Sequence, residues 1–129
     1  MKRPRVLLAD DHPGILESVR ALLAGEFDVV GEVLDGATVL AEATQLGPDV
    51  VVLDVSMPRG SGLQSLPLLR ERLPSAAIVV LTTHHESTYR EQALASGADA
   101  YVVKAQAALD LIPAIQRALV TRRGRPRQQ

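Results

Sequence analysis

The sequence contains no cysteine and no tryptophan, and its 129 residues include one phenylalanine and two tyrosines. Without cysteine, the chain forms neither disulfide bonds nor thiolate metal sites. The apolar stretches fall well short of the roughly 20 residues that a membrane-spanning helix requires. The basic amino terminus precedes too short an apolar run for a secretory signal. These absences predict a cytoplasmic protein that has no membrane partner.

Small aliphatic residues supply most of the hydrophobic content, which is 47% of the chain and ample for one core. A chain of this length corresponds to one domain. The net charge of −1 is unevenly distributed, because five arginines and no acidic residue occur from Arg117 onward. We therefore divide the chain into a folded domain over residues 1–120 and a basic tail over residues 121–129.

Four short apolar runs each end at a residue that can bind a metal ion or a phosphate. Continuous aliphatic runs are typical of parallel strands that are buried on both faces. The carboxyl ends of such strands meet at one edge of the sheet, where α/β proteins bind their ligands. The runs 6–9, 50–53, 78–81 and 100–103 are followed by Asp10 with Asp11, by Asp54, by Thr82 and by Lys104, respectively.

Helical periodicity alternates with these runs, and residues 27–34 predict one further strand. The predicted order is five strand–helix repeats, and right-handed crossovers place helices on both faces of the sheet. The fold class is therefore α/β, as a flavodoxin-like, doubly wound (βα)5 three-layer sandwich with strand order 2-1-3-4-5. This order makes the first and third strands neighbours, so Asp10, Asp11 and Asp54 converge.

The last predicted helix has an unusual pattern. Pro113 lies inside its apolar repeat, so we expect the helix to start late, near Asp110, or to kink. The side chains expected to face the core are Leu109, Ile112, Ile115 and Leu119.

Three converging carboxylates repel one another and require positive charge nearby. Lys104 can supply one charge and a divalent cation the rest, and oxygen ligands favour Mg²⁺ (or Mn²⁺). Thr82 offers a hydroxyl group to a phosphoryl oxygen. Asp54 is the candidate nucleophile, because carboxylates can accept a phosphoryl group as an acyl phosphate.

The order and spacing of these motifs resemble the receiver domain of two-component response regulators, the CheY-like family. The resemblance covers residues 5 to roughly 120. It is particularly to the NarL/FixJ subfamily, on the segments Asp11-His12-Pro13, Leu81-Thr82-Thr83-His84 and Tyr101-Val-Val-Lys104. Members of that subfamily usually carry a LuxR-type helix-turn-helix DNA-binding domain after the receiver. The matching motifs are Asp10-Asp11, Asp54-Val-Ser-Met57-Pro58 with Gly62, Thr82, and Tyr101 with Lys104.

The resemblance implies a role for each matching residue. Asp54 is the phosphoacceptor for a sensor histidine kinase, and Lys104 pairs with it. Thr82 and Tyr101 act as switch residues that change the surface of the fourth helix, fifth strand and fifth helix. That surface then controls homodimerisation or a DNA-binding output domain beyond the tail, and the protein is not a dedicated enzyme. The implied metal ligands are Asp10, Asp11, Asp54 and the backbone carbonyl of Ser56.

Two other functions are compatible with parts of the pattern. A phosphatase of the haloacid dehalogenase type uses an aspartyl phosphate, but that family needs a second aspartate where this chain has Ser56. A stand-alone or pseudo-receiver scaffold needs no phosphorylation, but it predicts a damaged acidic pocket, whereas here the pocket residues are present.

We assign no metal site to the three histidines and no DNA-binding site to the basic tail. We interpret His12, His84 and His85 as surface-loop residues, because their neighbours are wrong for zinc. The segment Arg123–Pro126 resembles the core of an AT-hook, whose arginines enter A·T-rich minor grooves. We interpret it instead as part of a solvated linker, because short basic motifs often arise by chance.

Overall fold

Five parallel strands form one sheet with helices packed on both of its faces. A computed structural model describes residues 2–55, 62–83 and 87–124. The strand order is 2-1-3-4-5, which confirms the predicted (βα)5 fold. The strands are β1 (Arg5–Ala9), β2 (Asp28–Val33), β3 (Val50–Leu53), β4 (Ala77–Thr82) and β5 (Ala100–Val103). The helices are α1 (Pro13–Leu23), α2 (Gly36–Leu46), α3 (Gly62–Arg72), α4 (Ser87–Ala95) and α5 (Ala107–Gly124).

The central strands are apolar along their whole length because helices cover both faces of the sheet. Successive side chains of a strand point to opposite faces. Leu8 of β1 packs with residues of α1 and α5, whereas its neighbour Leu7 packs with residues of α2, α3 and α4. Both leucines are almost completely buried. Continuous aliphatic runs therefore predicted the buried strands correctly.

The ends of the first two helices follow local sequence signals. Pro13 opens α1, where its missing N–H group does no harm. The side chain of Asp35 caps α2 by accepting a hydrogen bond from the backbone N–H of Thr38 at 3.1 Å. Gly47 ends α2 with a φ of 56°, a left-handed conformation that glycine adopts without strain.

Helix α5 differs from the prediction at its start and on its buried face. It begins at Ala107, directly after a 3₁₀ turn over Lys104–Gln106, so the first expected alternative, a late start near Asp110, is wrong, and the second, a kink, stays a prediction. Pro113 lies inside the helix. Leu109, which was expected in the core, is 76% exposed. Ile115 and Leu119 are buried as expected, Ile112 is partly buried, and Leu111, Ala114 and Ala118 complete the buried face. None of the described helices, α5 included, combines the length and the hydrophobicity that crossing a bilayer requires.

A buried ion cluster, here called the Asp99 cluster, joins Asp99, Arg70 and Arg122 at the amino-terminal edge of the sheet. Asp99 accepts hydrogen bonds from Arg70 Nη2 at 2.7 Å and from Arg122 Nε at 2.8 Å. It also accepts one from the backbone N–H of Ile78 at 2.9 Å. Arg70 donates further to the backbone carbonyl of Gly97 at 3.0 Å. The cluster thus ties α3 and the end of α5 to the residue that precedes β5.

The basic tail predicted over residues 121–129 begins inside α5, which continues to Gly124. The side chain of Arg122 is 13% exposed, so this arginine belongs to the folded domain and not to a solvated linker. Of the AT-hook-like segment Arg123–Pro126, the first two residues lie in the α5 backbone, and the last two lie outside the described residues.

Candidate functional site

Two buried carboxylates lie side by side where β1 and β3 end. These strands are neighbours, and Ala9 pairs with Leu53 in their register. Asp10 and Asp54 follow directly, and the backbone N–H of Asp54 donates to the carbonyl of Ala9 at 2.8 Å. Asp10 is 3% exposed and Asp54 is 1% exposed. Because burying a charge without a partner is costly, this pair requires a cation nearby.

Lys104 supplies positive charge to both carboxylates. It follows β5, and its Nζ lies 2.7 Å from Asp10 Oδ2 and 3.1 Å from Asp54 Oδ2. Burial on its own would lower the pKa of Lys104. Hydrogen bonding to Asp10 and the charge of Asp54 outweigh burial, so the pKa is raised above its usual value. Lys104 is therefore a fixed positive charge between the two carboxylates at neutral pH.

A third carboxylate and an imidazole complete the cluster at the start of α1. The side chain of Asp11 is 27% exposed. His12 Nδ1 lies 2.9 Å from Asp10 Oδ1 and 3.0 Å from Asp11 Oδ1. The interpretation of His12 as an ordinary surface-loop residue misses these contacts. Its position directly after two aspartates is the sequence signal that could have indicated them.

This acidic cluster can hold a metal ion. One ligand atom from each of Asp10, Asp11, His12 and Asp54 lies within 4.8 Å of the others. Asp11 Oδ1 is buried and receives no hydrogen bond in suitable geometry from the part of the chain that the structure describes. An oxygen-rich donor set of this kind is what Mg²⁺ and Mn²⁺ bind. The residues present therefore fit the predicted cation.

Of the other predicted site residues, Thr82 and Tyr101 lie in the described part of the chain. Thr82 ends β4, is fully buried, and pairs with Val103, the residue before Lys104. Tyr101 on β5 is 9% exposed and packs in the core cluster that includes α2 and α3 residues. The structure thus places Thr82 at the edge where the acidic cluster lies. Ser56, His84 and His85 lie outside the described residues.

Comparisons with known proteins agree with the fold. The family model of the response regulator receiver domain matches residues 6–116. The receiver domain of the putative response regulator NarL from Mycobacterium tuberculosis superposes with a TM-score of 0.83 and 32% sequence identity. That match covers 97% of this chain and 100% of the other.

Curated relatives are longer than this chain. The uncharacterized transcriptional regulatory protein YxjL of Bacillus subtilis is 39% identical over 116 residues. The nitrate/nitrite response regulator NarL of Escherichia coli is 37% identical over 115 residues. Each alignment covers 88% of this chain and 53% of the relative, so the chain spans about half the length of these proteins. The chain belongs to the response regulator receiver domain family, as a two-component receiver of the NarL/LuxR type.

Proposed function

We propose that this receiver domain is a phosphorylation-controlled switch in which Asp54 accepts a phosphoryl group from a sensor histidine kinase. The observation that carries the proposal is the contact of Asp54 Oδ2 with Lys104 Nζ at 3.1 Å inside an acidic pocket. A buried carboxylate can accept a phosphoryl group as an acyl phosphate, and the adjacent ammonium group can donate to an oxygen of that phosphoryl group.

In the transfer step, a carboxylate oxygen of Asp54 attacks the phosphorus of a phosphohistidine. The new P–O bond forms as the P–N bond breaks, and the departing imidazole keeps the electron pair and takes a proton from solvent. Mg²⁺ (or Mn²⁺), when bound, neutralises charge on the phosphoryl oxygens. Lys104 stays within reach and donates to a phosphoryl oxygen of the aspartyl phosphate. The residues that would hold the cation are Asp10, Asp11, Asp54 and the backbone carbonyl of Ser56.

The phosphoryl group would then favour a second conformation of the α4–β5–α5 surface. Thr82 lies at the same edge and would bind a phosphoryl oxygen, and Tyr101 on the neighbouring strand would respond to that movement. Helix α4 is weakly attached, because Ala93 is the single buried residue among those α4 side chains that the structure describes. An element with little buried apolar surface shifts at low free-energy cost. This surface therefore suits a two-state switch.

In a longer protein the switched surface would control transcription. Two curated relatives of about twice this length are named as a transcriptional regulatory protein and a response regulator. We propose that a LuxR-type DNA-binding domain follows the receiver and that residues 125–129 lead to it. Phosphorylation would then favour homodimerisation or release the output domain to bind DNA.

Intact-mass spectrometry tests the phosphoacceptor. Incubation with Mg²⁺ and phosphoramidate, whose P–N bond matches that of phosphohistidine, should add one phosphoryl group to the wild-type domain. Asp54→Asn should gain none. Asp28→Asn removes an exposed carboxylate at the start of β2 and should behave as the wild type does.

Two outcomes would contradict the proposal. One is a wild-type domain that gains no Mg²⁺-dependent adduct, which would favour a pseudo-receiver scaffold. The other is an Asp54→Asn variant that gains the same adduct as the wild type, which would place the phosphoryl group elsewhere.

A further inference from the structure

His12 is directed at the acidic cluster by its contacts with two carboxylates and not by burial. Its side chain is 58% exposed, so burial does not fix the ring. It makes no capping hydrogen bond to α1. Its Nδ1 nevertheless lies close to one carboxylate oxygen of Asp10 and one of Asp11. The imidazole nitrogen therefore lies among the atoms that would surround a bound cation.

The separation between His12 Nδ1 and Asp11 Oδ1 is compatible with that between neighbouring ligands of a six-coordinate ion. With metal–ligand bonds of about 2.1 Å, ligands at right angles are about 3 Å apart. In a tetrahedral site with similar bonds the same separation would be about 3.4 Å. His12 Nδ1 and Asp11 Oδ1 are 3.0 Å apart, and Asp54 offers an oxygen within 4.8 Å of both. The separation of Nδ1 from Asp11 Oδ1 is therefore compatible with an octahedral ion.

Asp11 Oδ1 also remains available to a cation. It is buried, and it receives no hydrogen bond in suitable geometry from the described residues, although His12 Nδ1 is near it. The ring is instead within hydrogen-bond distance of Asp10 Oδ1 at 2.9 Å. A cation placed between Nδ1 and Asp11 Oδ1 would satisfy an oxygen that the described residues leave unsatisfied.

We propose that His12 Nδ1 is a direct ligand of the cation in this pocket and makes the pocket prefer six-coordinate transition-metal ions such as Co²⁺ to Mg²⁺. This inference rests on the proposed function, because it concerns the same cation site. Imidazole nitrogen is a good ligand for transition metals, whereas Mg²⁺ is bound mainly by oxygen. His12 is then a specificity-determining residue of the receiver pocket.

Metal binding by His12 requires one particular tautomer. The neutral ring carries its proton on Nδ1 or on Nε2. Without a cation, Nδ1–H can donate to Asp10 Oδ1. With a cation bound, Nδ1 releases its proton to solvent, its lone pair coordinates the ion, and Nε2 takes up a proton. The exchange leaves the charge of the ring unchanged and places the N–H group on Nε2.

Calorimetric titration of the domain with Mg²⁺ and with Co²⁺ tests this assignment. His12→Ala should weaken Co²⁺ binding by at least about tenfold, as losses of groups around metal sites do. Mg²⁺ binding should weaken by less than about threefold, since its ligands are oxygens. His12→Asn retains an N–H donor for the carboxylates but lacks the ring nitrogen, so it should lose Co²⁺ affinity as His12→Ala does.

Proton NMR of the Co²⁺-loaded domain provides a readout that does not depend on affinity. A cobalt-bound imidazole should give a strongly shifted, exchangeable Nε2–H resonance in the wild type, and both His12 variants should lack it. If the resonance is absent from the wild type, or if both ions lose affinity equally in His12→Ala, direct ligation is wrong and His12 only hydrogen-bonds to the carboxylates.

The proposed function and this inference fail in different ways. A wild-type domain that takes up a phosphoryl group with Mg²⁺ but shows no His12-dependent Co²⁺ binding would overturn only the inference. A wild-type domain that binds neither ion would contradict both.

Discussion

Replacing Asp99 by asparagine should destabilise the domain strongly, although Asp99 lies at the edge of the sheet opposite the acidic cluster. Asp99→Asn keeps the shape of the side chain and removes its charge. The Asp99 side chain is 6% exposed, and those of Arg70 and Arg122 are 19% and 13% exposed. Two largely buried guanidinium groups would therefore lose the anion that they share.

The expected cost follows from the contacts that remain. Removing one partner of a buried ion pair costs about 3–5 kcal/mol. Asparagine keeps one acceptor oxygen, and Arg70 keeps hydrogen bonds to the carbonyls of Gly97 and Ala76. The lower end of the range applies, so we expect a loss of about 3 kcal/mol. Domains of this kind are stable by about 5–15 kcal/mol, so the variant should still fold.

An exposed ion pair on the same domain supplies the control. Arg20 Nε lies 2.6 Å from Glu32 Oε2, but these side chains are 50% and 31% exposed. Solvent screening limits such a pair to under about 1 kcal/mol, so Glu32→Gln should have a small effect. Urea unfolding followed by circular dichroism measures both variants. If Asp99→Asn costs no more than Glu32→Gln, burial does not strengthen the Asp99 cluster and the reasoning is refuted.

Three further substitutions test other parts of the structure. Lys104→Met leaves two buried carboxylates facing each other, so thermal unfolding in EDTA should show a loss of about 3 kcal/mol. Added Mg²⁺ should then stabilise this variant more than the wild type, and a variant as stable as the wild type in EDTA would contradict the pairing. Gly97→Ala should cost about 1–3 kcal/mol in urea unfolding, because its φ is 122° and a Cβ would lie 3.0 Å from a side-chain carbon. The control is Gly25→Ala, whose Cβ would meet nothing within 4 Å, and it should leave the free energy of unfolding almost unchanged. If the two substitutions destabilise the domain equally, the backbone of Gly97 does not require glycine. Leu111→Ala should cost about 2–5 kcal/mol by creating a cavity. Leu109→Ala should change stability by less than about 0.5 kcal/mol. If Leu109→Ala destabilised the domain more than Leu111→Ala, the buried face of α5 would be wrongly assigned.

The sheet and its order could be predicted because each signal was local and redundant. The runs 6–9 and 50–53 are continuous since both faces of the sheet are covered, and each is followed by an aspartate. Parallel pairing of β1 with β3 then brings Asp10 and Asp54 together without any further assumption. The predicted strand order was therefore sufficient to predict that these two aspartates lie together.

The buried face of α5 was harder to predict because the largest aliphatic side chains were expected to be the buried ones. The expected face followed the large side chains, including Leu109, whereas the structure buries the small residues Ala114 and Ala118 against the sheet. Pro113 also suggested a late start, yet the helix begins at Ala107, before it. Hydrophobic periodicity alone does not distinguish two adjacent faces when both carry aliphatic residues.

The Asp99 cluster and the acidic cluster both combine carboxylates with basic side chains, but they differ in how many carboxylate oxygens accept hydrogen bonds. In the Asp99 cluster, one carboxylate faces two guanidinium groups, and both of its oxygens accept hydrogen bonds. In the pocket, three carboxylates face one ammonium group, and Asp11 Oδ1 receives no hydrogen bond in suitable geometry from the described residues. A saturated cluster has no unsatisfied oxygen to offer a further ligand, and removing one of its members leaves a buried charge without its partner. An acid-rich cluster with an unsatisfied oxygen gains free energy when it binds a cation, and this imbalance supports the proposal that the pocket is the functional site.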